Sequence, residues 1–169
     1  MMKKLLFSLF LFVLPLAAHA QAQLKFGYFS YQKAFESMPD YAMARRNLDD
    51  LKGKYDAEMQ RVEDEFNKKY EEFLDGQREF APSILRKRQA ELQEMMEKNM
   101  AFKEEARRLL KQAEQDAYAP LKAKLAETVR GIGDARGYAF ILNTDGNAVP
   151  YVSSLAGEDI TALVADSLR

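Results

Sequence analysis

Residues 48–73 read LDDLKGKYDAEMQRVEDEFNKKYEEF. Leu48, Leu51, Tyr55, Met59, Val62, Phe66, Tyr70 and Phe73 recur every three or four residues, which puts one narrow apolar stripe on an α-helix whose opposite face is nearly all charge. The spacing approaches the natural helical period, so the seam runs almost straight with a slight right-handed bias. A helix with one sticky stripe must lie against another. The partner stripe is Leu92, Met95, Phe102, Ala106, Leu109, Leu110, Ala113 and Ala117, interrupted by the polar Asn99. Between the two stripes, Asp75-Gly76 and Phe80-Ala81-Pro82-Ser83 break the pattern. The reading is an antiparallel hairpin, a coiled-coil arm over 41–120 with its tip near 75–83. Its two helices, 41–78 and 83–119, are nearly equal in length and each reach roughly 55 Å. Asp40 is the expected N-cap of the first. Pro120 is either an elbow inside the second helix or the boundary at which a new helix starts at Leu121.

Working outward, Leu24 to Phe29 (LKFGYF) is short, aromatic and alternating, as a strand is. Ser30 caps a short helix, Tyr31 to Ser37, which Met38-Pro39 closes. On the far side, Gly131, Gly133 and Gly137 are expected to end the long helix, and Tyr138 to Asn143 (YAFILN) reads as a buried strand. Thr144-Asp145-Gly146-Asn147 predicts a hairpin turn into a returning strand, Ala148 to Val152, kept to an edge by Pro150. Asp159 caps a last helix, Ile160 to Leu168, with Ile160, Leu163, Val164 and Leu168 on its apolar face. The fold class is therefore α+β: a long helical hairpin on a small β-rich body formed by the discontinuous segments 21–40 and 121–169. So small a body is marginal as a single core, and oligomerisation through its strands is the natural remedy.

The chain has 169 residues, 25 basic and 26 acidic side chains, one His and no Cys. Residues 1–20 read as a cleaved signal peptide: Lys3 and Lys4 are the basic region, Leu5 to Leu16 the apolar run, and Ala18-His19-Ala20 the cleavage site. The mature chain would begin near Gln21 with a net charge of about −3, since Lys3 and Lys4 leave with the signal. His19 leaves too, which excludes Ser-His-Asp and Cys-His nucleophile systems and zinc sites built on His or Cys. No phosphate-binding G-x-x-x-x-G-K-[ST] loop is present, so neither enzymatic nor ATP-driven work is expected. Gly131, Gly133 and Gly137 follow a helix and precede a strand, the reverse of a dinucleotide fingerprint. Asn143, Asp145 and Asn147 imitate the start of a calcium loop, but the glycine is misplaced and Ser154 stands where the last ligand belongs. No cofactor or metal is expected, and the charge and signal make nucleic acid a poor partner.

Three stretches resemble the Skp/OmpH periplasmic chaperones of Gram-negative bacteria. They are Lys25-Phe26-Gly27-Tyr28-Phe29-Ser30 through Phe35 with Pro39-x-Tyr41, then Tyr138 to Tyr151, then Glu158-Asp159-Ile160-Thr161. The long charged hairpin matches in pattern, so the resemblance covers essentially the whole mature chain. It implies a homotrimer whose strands join in a small β-barrel body, with three helical arms around a cavity. That cavity would hold unfolded outer-membrane β-barrel proteins in the periplasm, without ATP, and prevent their aggregation. Two departures stand out: family members are strongly basic where this chain is slightly acidic, and Ser30 replaces the more common Asp or Asn.

On this reading the assembly body is expected to use Leu24, Phe26, Tyr28, Phe140, Leu142, Val149 and Tyr151. Client contact is expected along the arm, at Phe73, Leu74, Arg78, Phe80 and Leu85, at the basic tip Arg86, Lys87 and Arg88, and at Met95, Met96, Met100 and Phe102. The unbranched, polarizable methionines suit varied partners, and the basic tip suits weak contact with a membrane surface or lipopolysaccharide. The rival reading is a structural coiled-coil adaptor of the cell envelope that binds one folded partner.

Overall fold

A computed structural model describes residues 24–169. The expected signal peptide lies outside the described residues. Along the chain come β1 (Phe26–Phe29), α1 (Tyr31–Glu36), α2 (Pro39–Gly76), α3 (Pro82–Arg136), β2 (Ile141–Asn143), a 3-10 turn (Asp145–Asn147), β3 (Gly157–Asp159) and α4 (Thr161–Ser167). The architecture is mostly helical with one small sheet, which fits the α+β expectation. The residues form two compact units. One holds the described residues up to Ala34 together with Glu127–Leu168, and the other holds Phe35–Ala126.

The second unit is the helical hairpin. Asp40 does not cap α2: the helix begins at Pro39, preceded by Met38 in an extended conformation with no side-chain cap. Proline suits the first helical position because its missing N–H would have no intrahelical partner there. The pairing of α2 with α3 is antiparallel. As partners advance along α2 they retreat along α3: Tyr41 stacks on Tyr118 at 5.7 Å, Tyr55 meets Phe102 at 6.2 Å, and Phe73 meets Phe80 at 6.4 Å. Between these ring contacts, Asn99 Nδ2 donates to the Val62 carbonyl at 3.1 Å. The seam residues read from the spacing are half-buried, with Ala106 fully buried and Tyr70 on the exposed side. At the base, the Phe35 ring meets Tyr41 and Tyr118 edge-on at 5.3 and 5.5 Å, and Phe35, Met38, Leu121 and Leu125 are buried.

Helix α3 runs unbroken from Pro82 to Arg136 and contains Pro120, which overturns the reading of Pro120 as a helix boundary. Pro120 is exposed, so the carbonyl that loses its partner has access to water. Gly131 and Gly133 do not stop the helix either, since isolated glycines cost only about 1 kcal/mol each within one. The stop is Gly137, at φ +64. There the Tyr138 amide donates to the Gly133 carbonyl and the Gly137 amide to the Asp134 carbonyl, a Schellman closure that requires the left-handed residue glycine tolerates.

The first unit carries the sheet, ordered β2-β1-β3 with both pairings parallel. Phe29, Ala34, Ile160, Val164 and Leu168 form its buried core. The expected antiparallel hairpin is absent: Ala148 to Val152 forms no strand, and the third strand is Gly157–Asp159, beside β1. Two causes are visible. Pro150 offers no N–H to a ladder, and Asp145, at the head of the turn, is held by bonds to Ser30 and Gln32, although Gly146 and Asn147 take the positive φ that a two-residue hairpin turn requires. Gly157 fits beside β1 because it lacks a Cβ, which would lie 2.6 Å from Cε2 of Phe26. Asp159 is not the cap of the last helix, which begins at Thr161 with Ile160 in the N-cap position and no side-chain cap; one residue earlier, Asp159 Oδ1 accepts from the Thr161 amide at 2.9 Å and from the Thr161 hydroxyl at 2.6 Å.

Candidate functional site

Two helices zipped along single stripes leave their remaining apolar side chains in water. On the arm these are Met43, Tyr70, Leu74, Ile84, Met96 and Met100, the last 61% exposed. Phe66 stacks on Tyr70 at 6.0 Å, and both share a face of α2 with Leu74 at four-residue spacing. Beside Phe66 runs an open groove between the helices, lined by Met59, Val62, Phe66, Met96, Asn99 and Met100 and flanked by Glu63 and Lys103. Five of its eight lining residues are apolar, with Glu63, Asn99 and Lys103 as the polar ones.

The structure divides the residues expected to meet clients. Met96, Met100 and Leu74 are exposed, whereas Met95, Phe102, Phe73, Phe80 and Leu85 are half-buried. Phe102 is engaged with Tyr55 and Phe73 with Phe80. At the tip, Phe80 folds back over Gly76, where a Cβ would fall 2.6 Å from the ring. A shallow pocket forms there, lined by Lys69, Glu72, Phe73, Phe80, Arg88, Glu91 and Leu92.

The basic tip is less cationic than its sequence suggests. Arg88 pairs with Glu91 at 2.9 Å and Lys87 approaches the same carboxylate at 3.8 Å, while Arg78 and Arg86 have no ion pair among the described residues. Along the arms, Arg61 bridges Glu58 and Glu65, Lys98 holds Glu94, and Arg108 holds Glu105. Hydrogen bonds from these cations keep Glu58, Glu94 and Glu105 below the usual carboxylate range. All are exposed pairs within one helix, which support the helix weakly and keep the outer face charged.

In the sheet unit, Leu24, Phe140, Tyr151 and Leu155 are exposed, the last two at 81% and 90%. Phe26, Tyr28, Leu142 and Val149 are half-buried, and Phe26 stacks on Phe140 at 5.1 Å. The strand edges of β2 and β3 away from β1 have no strand partner among the described residues. Ile84 and Leu155 escaped the sequence reading. Ile84 lies in the first turn of α3, and Leu155 sits in a loop with no periodicity to mark it.

Two polar clusters hold this unit together. Ser30 accepts from the Lys33 amide as the N-cap of α1, and its hydroxyl donates to Asp145 Oδ1 at 2.7 Å. Asp145 Oδ2 accepts from the Gln32 amide at 2.8 Å, and Asn143 Oδ1 accepts from the Tyr31 amide at 3.2 Å. The Ser30 hydroxyl and then the Gln32 amide hold the Asp145 carboxyl below its usual range. Two of the three residues that imitate a calcium loop, Asn143 and Asp145, are thus occupied with the start of α1. In the second cluster the Tyr138 hydroxyl donates to Glu158, which also pairs with Arg136 at 3.1 Å. Burial and this carboxylate together push the Tyr138 phenol up to about 12. Among the described residues no group of His, Cys, Asp and Glu could hold a metal ion, and no helix is long and apolar enough to cross a membrane.

A family model described as outer membrane protein (OmpH-like) matches residues 25–168, nearly all of what the structure describes. The chain belongs to this family. OmpH-family proteins are periplasmic chaperones of outer-membrane proteins, and not enzymes. No curated protein matches the chain. The matched span takes in both arms, all three strands and α4, so the OmpH-like assignment rests on both units.

Proposed function

We propose that this OmpH-family chain is an ATP-independent holdase. It binds unfolded outer-membrane β-barrel proteins along the inner faces of its helical arms and keeps them from aggregating in the periplasm, which it reaches through a cleaved signal peptide. The observation that carries this reading is the set of large apolar side chains left in water on the arms, chiefly Tyr70, Leu74, Ile84, Met96 and Met100. Zipping the hairpin does not use them. A protein that leaves such a stripe exposed invites a partner. Scattered, flexible and individually weak contacts suit an unfolded chain better than one folded surface, because each raises the effective concentration for the next.

The reading includes a homotrimer, with 21–40 and 121–169 as the assembly body and 41–120 as the arm. Support comes from the open strand edges and from Leu24, Phe140, Tyr151 and Leu155 standing exposed around a sheet of only three short strands. Three such bodies would bury these residues and place three arms around one cavity. The basic tip, with Arg78 and Arg86 free of ion pairs, would give at most weak contact with a membrane surface or lipopolysaccharide. No nucleic acid, metal or cofactor enters the mechanism.

The test is aggregation of several unrelated β-barrel proteins diluted from urea. The mature protein, without nucleotide, should suppress it at about one assembly per client. Suppression of none of them, together with tight binding to one folded envelope protein, would establish the structural adaptor instead. Light scattering of the mature protein reads the trimer directly.

A further inference from the structure

The chain has no cysteine, so its thioethers are the only sulfur an oxidant can reach. The structure sorts those thioethers sharply. Met38 is 2% exposed, whereas Met96 and Met100 are 42% and 61% exposed and stand one helical turn apart on the same wall of the arm groove. Opposite them lie Val62 and Phe66 with the half-buried Met59, and Glu63, Asn99 and Lys103 complete the lining. Met43, 59% exposed, is the arm's other open thioether, but it lies outside this groove, so Met96 and Met100 are the two exposed methionines that line it.

We propose that Met96 and Met100 form a reversible oxidation site that releases client from the arm. The inference rests on the holdase reading, since the occupant of the groove is the apolar side chains of an unfolded client. The oxidant is a peroxide. The thioether sulfur attacks one peroxide oxygen, an S–O bond forms as the O–O bond breaks, and the second oxygen departs as water after proton transfer. Sulfur loses two electrons and the peroxide gains them. A thiol reductant reverses the step through a methionine sulfoxide reductase, yielding thioether, water and disulfide. The sulfoxide carries a strong dipole that demands hydration, so an apolar client side chain no longer gains by covering it. Half-burial of a methionine against client makes this worth about threefold in affinity for each sulfoxide, hence about tenfold for the pair. Met95, half-buried in the seam, is shielded by the paired helix, so the arm itself survives the chemistry.

The experiment measures the dissociation constant of a fluorescently labelled, unfolded outer-membrane β-barrel protein for the mature chain before and after graded hydrogen peroxide. Mass spectrometry of peptides locates each sulfoxide. Parent protein, a Met96→Leu/Met100→Leu variant and a Met43→Leu variant are each compared with themselves, so starting affinities need not agree. Oxygen should appear at Met96, Met100 and Met43 before Met95 and Met38. Parent and Met43→Leu should weaken by about tenfold, the double variant by less than twofold, and sulfoxide reductase should restore the parent. Unchanged affinity with both methionines fully oxidised would overturn the proposal. So would equal weakening of the double variant, or oxidation of Met95 ahead of Met96 and Met100. A reduced protein with no measurable client affinity would instead overturn the holdase reading and this inference with it.

Discussion

Replacing Asp145 by Ala removes the acceptor for the Ser30 hydroxyl at 2.7 Å and for the Gln32 amide at 2.8 Å. Both bonds join the chain after β2 to the start of α1, residues more than a hundred positions apart in sequence. An N-cap is worth about 1–2 kcal/mol, and a charged acceptor strengthens the bonds. Partial exposure of Asp145 keeps the sum near the same 1–2 kcal/mol rather than twice that. For a chain of this size each kcal/mol moves the melting temperature by about 2–4 °C, so Asp145→Ala should melt about 2–8 °C lower at pH 7. The pH dependence has a definite sign. The folded-state pKa is depressed, so the contribution is fully present above the unfolded value of about 4 and fades as pH falls through the lower folded value. Circular-dichroism melts of parent and variant at pH 7 and at about pH 3 give the double difference. The gap should narrow in acid. A gap that stays constant, or a variant that melts with the parent at pH 7, would refute the assignment of Asp145 as an ionised cap.

Four further outcomes are expected. Replacing residues 63–98 with a short Gly/Ser turn cuts the hairpin at the Val62–Asn99 pair and should leave a folded, oligomeric body without holdase activity, read by light scattering and by client aggregation. Leu125→Ala empties a fully buried site and should cost about 2–5 kcal/mol in urea unfolding. Gly157→Ala sets a Cβ 2.6 Å from the Phe26 ring and should loosen the β1–β3 pairing, costing about 1–3 kcal/mol and broadening the Phe26 signals in NMR spectra. Pro120→Ala restores a helical hydrogen bond at an exposed position, gains up to about 3 kcal/mol, and should raise the melting temperature.

The arm was legible because its signal is local. Intervals of three and four placed the seam, and Asn99 showed itself as a polar break in it, although nothing in the spacing announced that its amide would reach the Val62 carbonyl. The small sheet was legible only in part. Its first strand is aromatic and alternating, but Gly157-Glu158-Asp159 has none of the residues that favour strands, and it becomes one because β1 offers an edge and Gly157 lets Phe26 lie close. Asp145-Gly146 misled for a related reason. The turn geometry at Gly146 and Asn147 came out as a hairpin would need it, with positive φ at both, but no strand returns after it, and Asp145 is bonded to the start of α1 instead. Among the expected contact residues, spacing put Met95 in the seam and left Met96 out of it, as the structure has them, but it could not show how much of Met96 would stand in water.

The Asn99–Val62 bond also constrains how such an arm can change length. A register shift of one helical turn would break the Asn99–Val62 bond and move Tyr55 off Phe102, so sliding to absorb an insertion in one helix costs both contacts. Lengthening must occur beyond the bond, toward the tip, and in matched amounts on both strands of the hairpin. Deletions obey the same symmetry. Reach is thereby separated from anchorage: the stretch between this pin and the Tyr41–Tyr118 stack behaves as a fixed gauge, and the stretch beyond it as the end at which the hairpin's length can change.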